Sequence, residues 1–194
     1  LRKAGLTINL AKCEFGQATV TFLGHVVGQG QVKTIDAKIE AICNFPKPVT
    51  RKELMRFLGM AGYYRKFCPN FSTISDPLTR LLRKGQKFDW SLECDRAFDQ
   101  LKAMLQSSPV LTAPNFVLPF KLAVDASDVA AGAVLLQEDS DGVSHPVCYF
   151  SRKFNQSQKN YSTVEKECLA LILALQHFEV YLSGQSHSIT VFRD

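Results

Sequence analysis

Three carboxylates stand where a chain has little other use for them. Asp125 lies within the stretch Phe120 to Gln137, FKLAVDASDVAAGAVLLQ, at the end of an apolar run. Aspartate is depleted in strands and costly to bury, so an Asp at a strand mouth needs a cation, a metal or several donors beside it. Glu167 follows Ser162-Thr163-Val164-Glu165, a capping-box spacing that gives Glu165 a structural task. It falls at the margin of an apolar helical stripe read as Val164, Cys168, Leu171, Leu175 and Phe178. Asp194 ends a run containing Ile189, Val191 and Phe192. Acids brought to one point cannot all stay ionised without cations between them. Hard oxygen donors suit magnesium or manganese, and two such ions about 3.5 to 4 Å apart clamp an in-line phosphoryl displacement. Singly, each acid has a plainer use; an edge glutamate, for instance, commonly reaches for solvent. Asp128, in the Ser127-Asp128 turn, reads as a loop cap rather than a ligand.

The elements that must position these acids are legible as periodicity. Strands are predicted over Phe120 to Asp125, Ala131 to Gln137 and Pro146 to Phe154, with a turn over Glu138 to Gly142. A long helix from Ser162 to about Leu182 and a last strand, Ser188 to Asp194, follow. Three meandering strands, a crossover helix and a fourth strand make an α/β unit, the fourth strand most simply parallel to the first. The carboxyl ends of those two strands then point the same way, which would gather Asp125 and Asp194, with Glu167 near the start of the crossover helix.

The first part of the chain reads differently. A helix end is expected over Leu1 to Gly5, strands over Leu6 to Leu10 and Val20 to Val27, and a turn at Gly28-Gln29-Gly30. Asp36 is the expected N-cap of a helix carrying Ile39, Ile42 and Cys43 and ending before Pro46. Thr50-Arg51-Lys52-Glu53 has capping-box spacing, and Leu54, Phe57, Leu58 and Ala61 form the core stripe of the helix it opens. Lys52, Arg56, Gly59, Tyr63 and Lys66 share a second face of that helix, which suits either a solvated charged surface or a phosphate backbone. Further helices are predicted from about Phe71 to Lys84, stopped by Gly85, and from Ser91 as N-cap to about Gln106. The polar, proline-bearing segment Ser107 to Asn115 is the expected boundary.

Charge divides at the same place: up to Asn115 there are 17 Lys and Arg against 9 Asp and Glu, and from Phe116 onward 6 against 9. A basic part joined to a mildly acidic part suits a polyanion held by one and divalent cations by the other. The 194 residues are 46% hydrophobic and 21% charged, the profile of a globular protein of one large or two small domains. No apolar run approaches the roughly 20 residues of a membrane span and no leader pattern is present, so an intracellular, soluble protein without a membrane partner is expected. Six scattered cysteines without a C-x-x-C pair argue against a zinc site or disulfide scaffold and for reduced, packed thiols.

With these residues in view, the chain resembles part of the pol polyprotein of gypsy-class long-terminal-repeat retrotransposons. LTINLAKCEF and TFLGHVV resemble the end of a reverse transcriptase palm with its primer-grip hairpin (residues 1–35). FLGMAGYYRKFCPNFSTISDPLTRLLRKG and FDWSLECDRAFDQLK resemble the thumb and linking helical region (36–115). VDASDVAAGAVLLQ, YFSRKFNQSQKNYSTVEKECLALILAL and TVFRD resemble a ribonuclease H domain (116–194), incomplete at its C-terminal end. The resemblance implies a mixed α/β fold and two-metal hydrolysis of the RNA strand of RNA/DNA hybrids, with Asp125, Glu167 and Asp194 holding two Mg²⁺ or Mn²⁺ ions. It also implies that Lys52, Arg56, Tyr63 and Lys66, with Phe22, Leu23 and Gly24 as primer grip, contact primer-template. The remainder of the polyprotein becomes an expected partner, and a cytoplasmic particle or the nucleus the expected location.

The departures are specific. The family's Y-x-D-D polymerase turn is absent, so polymerisation by this chain alone is not expected, and the fourth nuclease acid would come after Asp194. Arg193 stands where the family has Thr or Ser, and a guanidinium there is expected to pair with Asp194 and weaken metal binding. These departures predict weak or no cleavage by the chain alone. They also motivate an alternative, a catalytically decayed or host-adopted nucleic-acid-binding module.

Overall fold

The computed structural model describes residues 2–107, 110–184 and 186–193, and Asp194 lies outside the described residues. Among the described residues the strands form two four-stranded sheets. The first is built from β1 (Thr19–Phe22), β2 (His25–Gly28) and β3 (Gln31–Thr34), a meander of antiparallel hairpins. Leu23 (φ 44°) and Gly24 (φ 72°) make the first turn, and Gln29 (φ 52°) and Gly30 (φ 70°) the second. Two positive φ values in a row are what a two-residue hairpin needs to match strand twist. The single strand expected over Val20 to Val27 is therefore two, because the Leu-Gly turn reads in sequence as part of an apolar run.

The strand expected over Leu6 to Leu10 does not form. Leu6, Ile8 and Leu10 are all exposed, a 3₁₀ turn occupies Leu10–Lys12, and no described strand pairs with the segment. Alternation alone cannot hold a strand without a partner for its backbone.

The helical region comprises α1 (Asp36–Cys43), α2 (Arg51–Tyr63), α3 (Phe71–Ile74), α4 (Asp76–Arg80) and α5 (Leu92–Gln106). Asp36 is the first helical residue rather than the cap; Ile35 holds the N-cap position without a side-chain bond. Thr50 and Glu53 form the expected capping box, and Ser91 caps α5 through the Cys94 amide. The helix expected from Phe71 to Lys84 is broken at Ser75: α3 ends there and Pro77 sits in the first turn of α4. Proline is tolerated only in such a first turn, so the chain restarts rather than continues. Phe57, Phe67, Leu78 and Leu101 are fully buried in the core of this region. After α5, β4 (Leu111–Thr112) adds to β3, so part of the polar segment after the helix is a strand.

The second sheet has the order β7-β6-β5-β8. Its strands β5 (Lys121–Ala126), β6 (Ala130–Glu138) and β7 (Ser144–Lys153) run antiparallel, with a bulge opposite Leu135 and Leu136. A short α6 (Gln156–Lys159) leads to α7 (Thr163–Leu182), and β8 (Thr190–Arg193) returns parallel to β5, as the crossover reading expects. The fold is thus mixed α/β, with three meandering strands, a crossover helix and a fourth strand. A second apolar core, including Leu122, Val124, Leu135, Phe150 and Phe178, lies between this sheet and α7.

The buried stripe of α7 is only in part the expected one: Phe178 is buried and Leu171 packs against the core as expected, but the rest differs. Ala170, Leu173, Ala174 and Phe178 are buried, together with Lys166, whereas Val164 and Cys168 are exposed and Leu175 is 37% exposed. This helix is apolar on most of its circumference, so periodicity does not select a face. The small Ala170 and Ala174 do, by letting the helix approach the sheet closely.

Candidate functional site

β5 alternates as a half-buried strand should, with Leu122 and Val124 turned to the core and Asp125 exposed at the carboxyl end. The Asp125 carboxylate makes no hydrogen bond or ion pair with any described residue. The Ser162 capping box starts α7, using up Glu165 as expected, and two residues on Glu167 leaves the first turn with its side chain 20% exposed. Asp125 and Glu167 then line one small pocket of about 70 Å³ with Cys168, Val191 and Arg193. Glu167 Oε2 is buried without a hydrogen bond. The Arg193 guanidinium lies against it as an ion pair, in a geometry that does not make a hydrogen bond. The sequence reading placed Arg193 on Asp194; the described partner is Glu167. The parallel register of β5 and β8 runs to Val124 opposite Arg193, the residues immediately before Asp125 and Asp194.

Among the described residues no group of three His, Cys, Asp or Glu is placed to hold a metal ion. The donor chemistry of the pocket nevertheless fits a hard divalent cation: one exposed carboxylate without a side-chain partner among the described residues and one buried carboxylate oxygen that has the Arg193 ion pair but no hydrogen bond. Asp128 stands apart, its carboxylate 2.9 Å from Lys166 Nζ and almost fully exposed.

The hairpin and helix candidates form a second locus. Phe22, Leu23, Tyr63 and Lys66 line a pocket of about 360 Å³ with His25. The Tyr63 hydroxyl donates to the Leu23 carbonyl, and a side chain at Gly24 would meet Tyr63. Phe22 and Leu23 are 63% and 71% exposed at the hairpin tip. Lys52 and Arg56 are exposed on α2 but do not line this pocket. Lys66 is not on α2 at all, since the helix ends at Tyr63 and a 3₁₀ turn, Arg65–Phe67, follows. His25, missed in the sequence, is the buried keystone: its ring stacks between Tyr63 and Phe67 at 5.5 and 5.6 Å. Burial, reinforced by the Lys66 charge, lowers its pKa. A lone histidine after a Leu-Gly turn carries no signal of that role.

Residues 90–191 match the family model described as an RNase H-like domain found in reverse transcriptase. The chain belongs to that family. It is 42% identical over 190 residues to the retrovirus-related Pol polyprotein from transposon 297 of Drosophila melanogaster, covering 97% of this chain and 18% of that one. The chain spans 15–20% of the length of the curated retrotransposon polyproteins it matches. Among solved structures, foamy viral protease-reverse transcriptase dRH in complex with double-stranded DNA superposes with a TM-score of 0.76 at 25% identity, over 91% of this chain and 31% of that chain. The foamy viral enzyme in complex with an RNA/DNA hybrid gives 0.74 at 26% identity, over 91% and 24%. The RNase H-like sheet of this chain is the one carrying Asp125, and no described helix is long and apolar enough to cross a membrane.

Proposed function

We propose that the chain is the palm end (1–35), thumb and linker (36–115) and ribonuclease H portion (116–194) of a retroelement polyprotein, acting on the RNA strand of RNA/DNA hybrids. The observation that carries this reading is the pocket at the carboxyl end of the parallel β5–β8 pair, where the unpaired Asp125 carboxylate and a Glu167 oxygen without a hydrogen bond meet. Two separate apolar cores, one over residues 39–111 and one over 120–178, support the division of the chain.

Asp125, Glu167 and Asp194 are the proposed metal-holding acids, Asp194 being assigned from the sequence because it lies outside the described residues. Two Mg²⁺ or Mn²⁺ ions bound there supply the water activation and leaving-oxygen stabilisation of an in-line phosphodiester displacement. The chain's own part is to hold the acids rigidly: Asp125 by the β5–β6 ladder, Glu167 by the capped start of α7. Lys52, Arg56, Tyr63 and Lys66 on and after α2, with Phe22, Leu23 and Gly24 at the hairpin tip, are the proposed primer-template contacts. The foamy viral relatives solved with duplex DNA and with a hybrid support a nucleic-acid partner.

One contact favours a second reading. The Arg193 guanidinium on Glu167 supplies the positive charge that a cation would otherwise bring, as in a nucleic-acid-binding module without catalysis. Thermal melting with and without Mg²⁺, alongside cleavage of a labelled hybrid, separates the two. The nuclease reading expects Mg²⁺-dependent stabilisation that Asp125→Asn abolishes, with any cleavage lost in the same variant. Cleavage that survives Asp125→Asn overturns the site, and absence of any Mg²⁺ effect supports the binding module.

A further inference from the structure

A pocket of about 480 Å³ lies on the seam between the helical region and the RNase H-like sheet. Three elements line it: the 3₁₀ turn after α2 with Arg65 and Lys66, β7 with Tyr149 and Arg152, and α7 with His177. No acid is among its lining residues. Arg65, Lys66 and Arg152 have no carboxylate partner among the described residues. Within the acid-rich second part Arg152 differs in this from Lys121, Lys153, Lys166 and Arg193, each of which meets a carboxylate.

Arg65 is instead held by neutral acceptors, the Ser151 carbonyl and the Ser72 hydroxyl, with its guanidinium 5.7 Å from the Phe71 ring. Those contacts fix its plane without neutralising it. Burial lowers the pKa of both Arg65 and Lys66, the sign of cations desolvated without a counter-charge. The His177 ring packs against Phe150 at 4.7 Å, and burial together with Arg65 holds it towards the neutral form. Lys66 is half-buried and Arg65 and Arg152 are exposed, so all three can meet a ligand from solvent, and a guanidinium fork matches phosphate oxygens in geometry.

We propose that this seam pocket binds phosphate oxyanions, as the phosphodiesters of a nucleic-acid strand that also passes Asp125. A second pocket that Asp125 borders, lined with Asn70, Gly132 and Phe192 and distinct from the Asp125–Glu167 pocket, shares Tyr149 with the basic pocket. Between them lie the neighbouring strands β5, β6 and β7, two strand spacings or roughly 10 Å. That span matches about three nucleotides of duplex rise. The proposal rests on the nucleic-acid reading above, but not on metal binding or cleavage.

The test is hybrid binding by the whole chain in EDTA, followed by fluorescence anisotropy across a salt series, for wild type, Arg152→Ala, Arg65→Gln and the double variant. Each single variant is expected to reduce the slope of log affinity against log salt by about 0.9, and the double by about twice that. The melting temperature of Arg152→Ala should be unchanged, and because EDTA removes divalent cations, failure of the nuclease site and failure of this site are read separately. A folded double variant with the wild-type slope overturns the proposal. Pyrophosphate and ATP form the second arm: stabilisation by them that the double variant loses, with the hybrid slope intact, assigns the pocket to free nucleotides and overturns the strand assignment. A wild-type chain that does not bind the hybrid overturns the proposal together with the reading it rests on.

Discussion

The Arg193 guanidinium is the charge at the candidate site that opposes a cation there, and it pairs with the Glu167 carboxylate oxygen that has no hydrogen bond. Arg193 is 57% exposed, so its pairing with Glu167 is worth no more than a solvated ion pair, about 0.2–1 kcal/mol. Arg193→Thr is therefore expected to raise apparent Mg²⁺ affinity by up to about fivefold. A Mg²⁺ titration followed by thermal shift measures this, and an affinity equal to wild type refutes the competition. The same pocket shows why single residues are poor guides: Glu165 and Glu167 are two positions apart, yet one caps a helix and the other faces the β5–β8 pocket.

Helix α7 decides which face of the sheet is closed and where Glu167 points. Ala170 and Ala174 are fully buried against the sheet, and Val164 is 61% exposed. Overfilling a packed position commonly costs about 1–3 kcal/mol, so Ala174→Leu is expected to lower stability by that amount in urea unfolding. Val164→Ala, on the exposed face, should fall within about 0.5 kcal/mol of wild type. The opposite ranking would restore the stripe read from periodicity and rotate Glu167 away from Asp125. The hairpin of β1 and β2 is set in the same manner by tertiary contact, since the Tyr63 and Tyr64 hydroxyls both reach its turn carbonyls.

On the scale of the whole molecule, the helical region is tied to the sheet by buried polar contacts. The Ser72 amide donates to Ser151 Oγ at 3.0 Å, and Lys153 on β7 meets Asp76 on α4 at 2.9 Å. Asp76 is buried, which pushes its carboxyl up, but the hydrogen bond and charge of Lys153, with Arg80 and Lys159, outweigh that and lower its pKa. A carboxyl held below its ordinary 3.8 contributes stability above that pH and loses it as pH falls through the lowered value. Urea midpoints should therefore decline below about pH 4, and Asp76→Asn should flatten that acid limb. At neutral pH the same variant should cost about 1–3 kcal/mol by leaving Lys153 with the Thr79 hydroxyl but without its carboxylate partner. An unchanged acid limb would remove Asp76 as its source.

By itself the sequence determined the elements whose signals are local: the capping boxes at Thr50 and Ser162, the cap at Ser91, the strand alternation ending at Asp125, and the order of the second sheet's strands and crossover helix. The stop expected at Gly85 is not one, since α4 already ends at Arg80. It also determined the family, because motifs such as VDASDVAAGAVLLQ and YSTVEKECLALILAL survive as strings. Only the tertiary structure decided which face of α7 is buried, that Leu6 to Leu10 has no partner, that His25 locks the hairpin, and that Arg193 lies on Glu167. Caps and turns are short-range bonds within a few residues, whereas a choice of face or an ion pair between α7 and β8 is settled by what the rest of the chain packs against it.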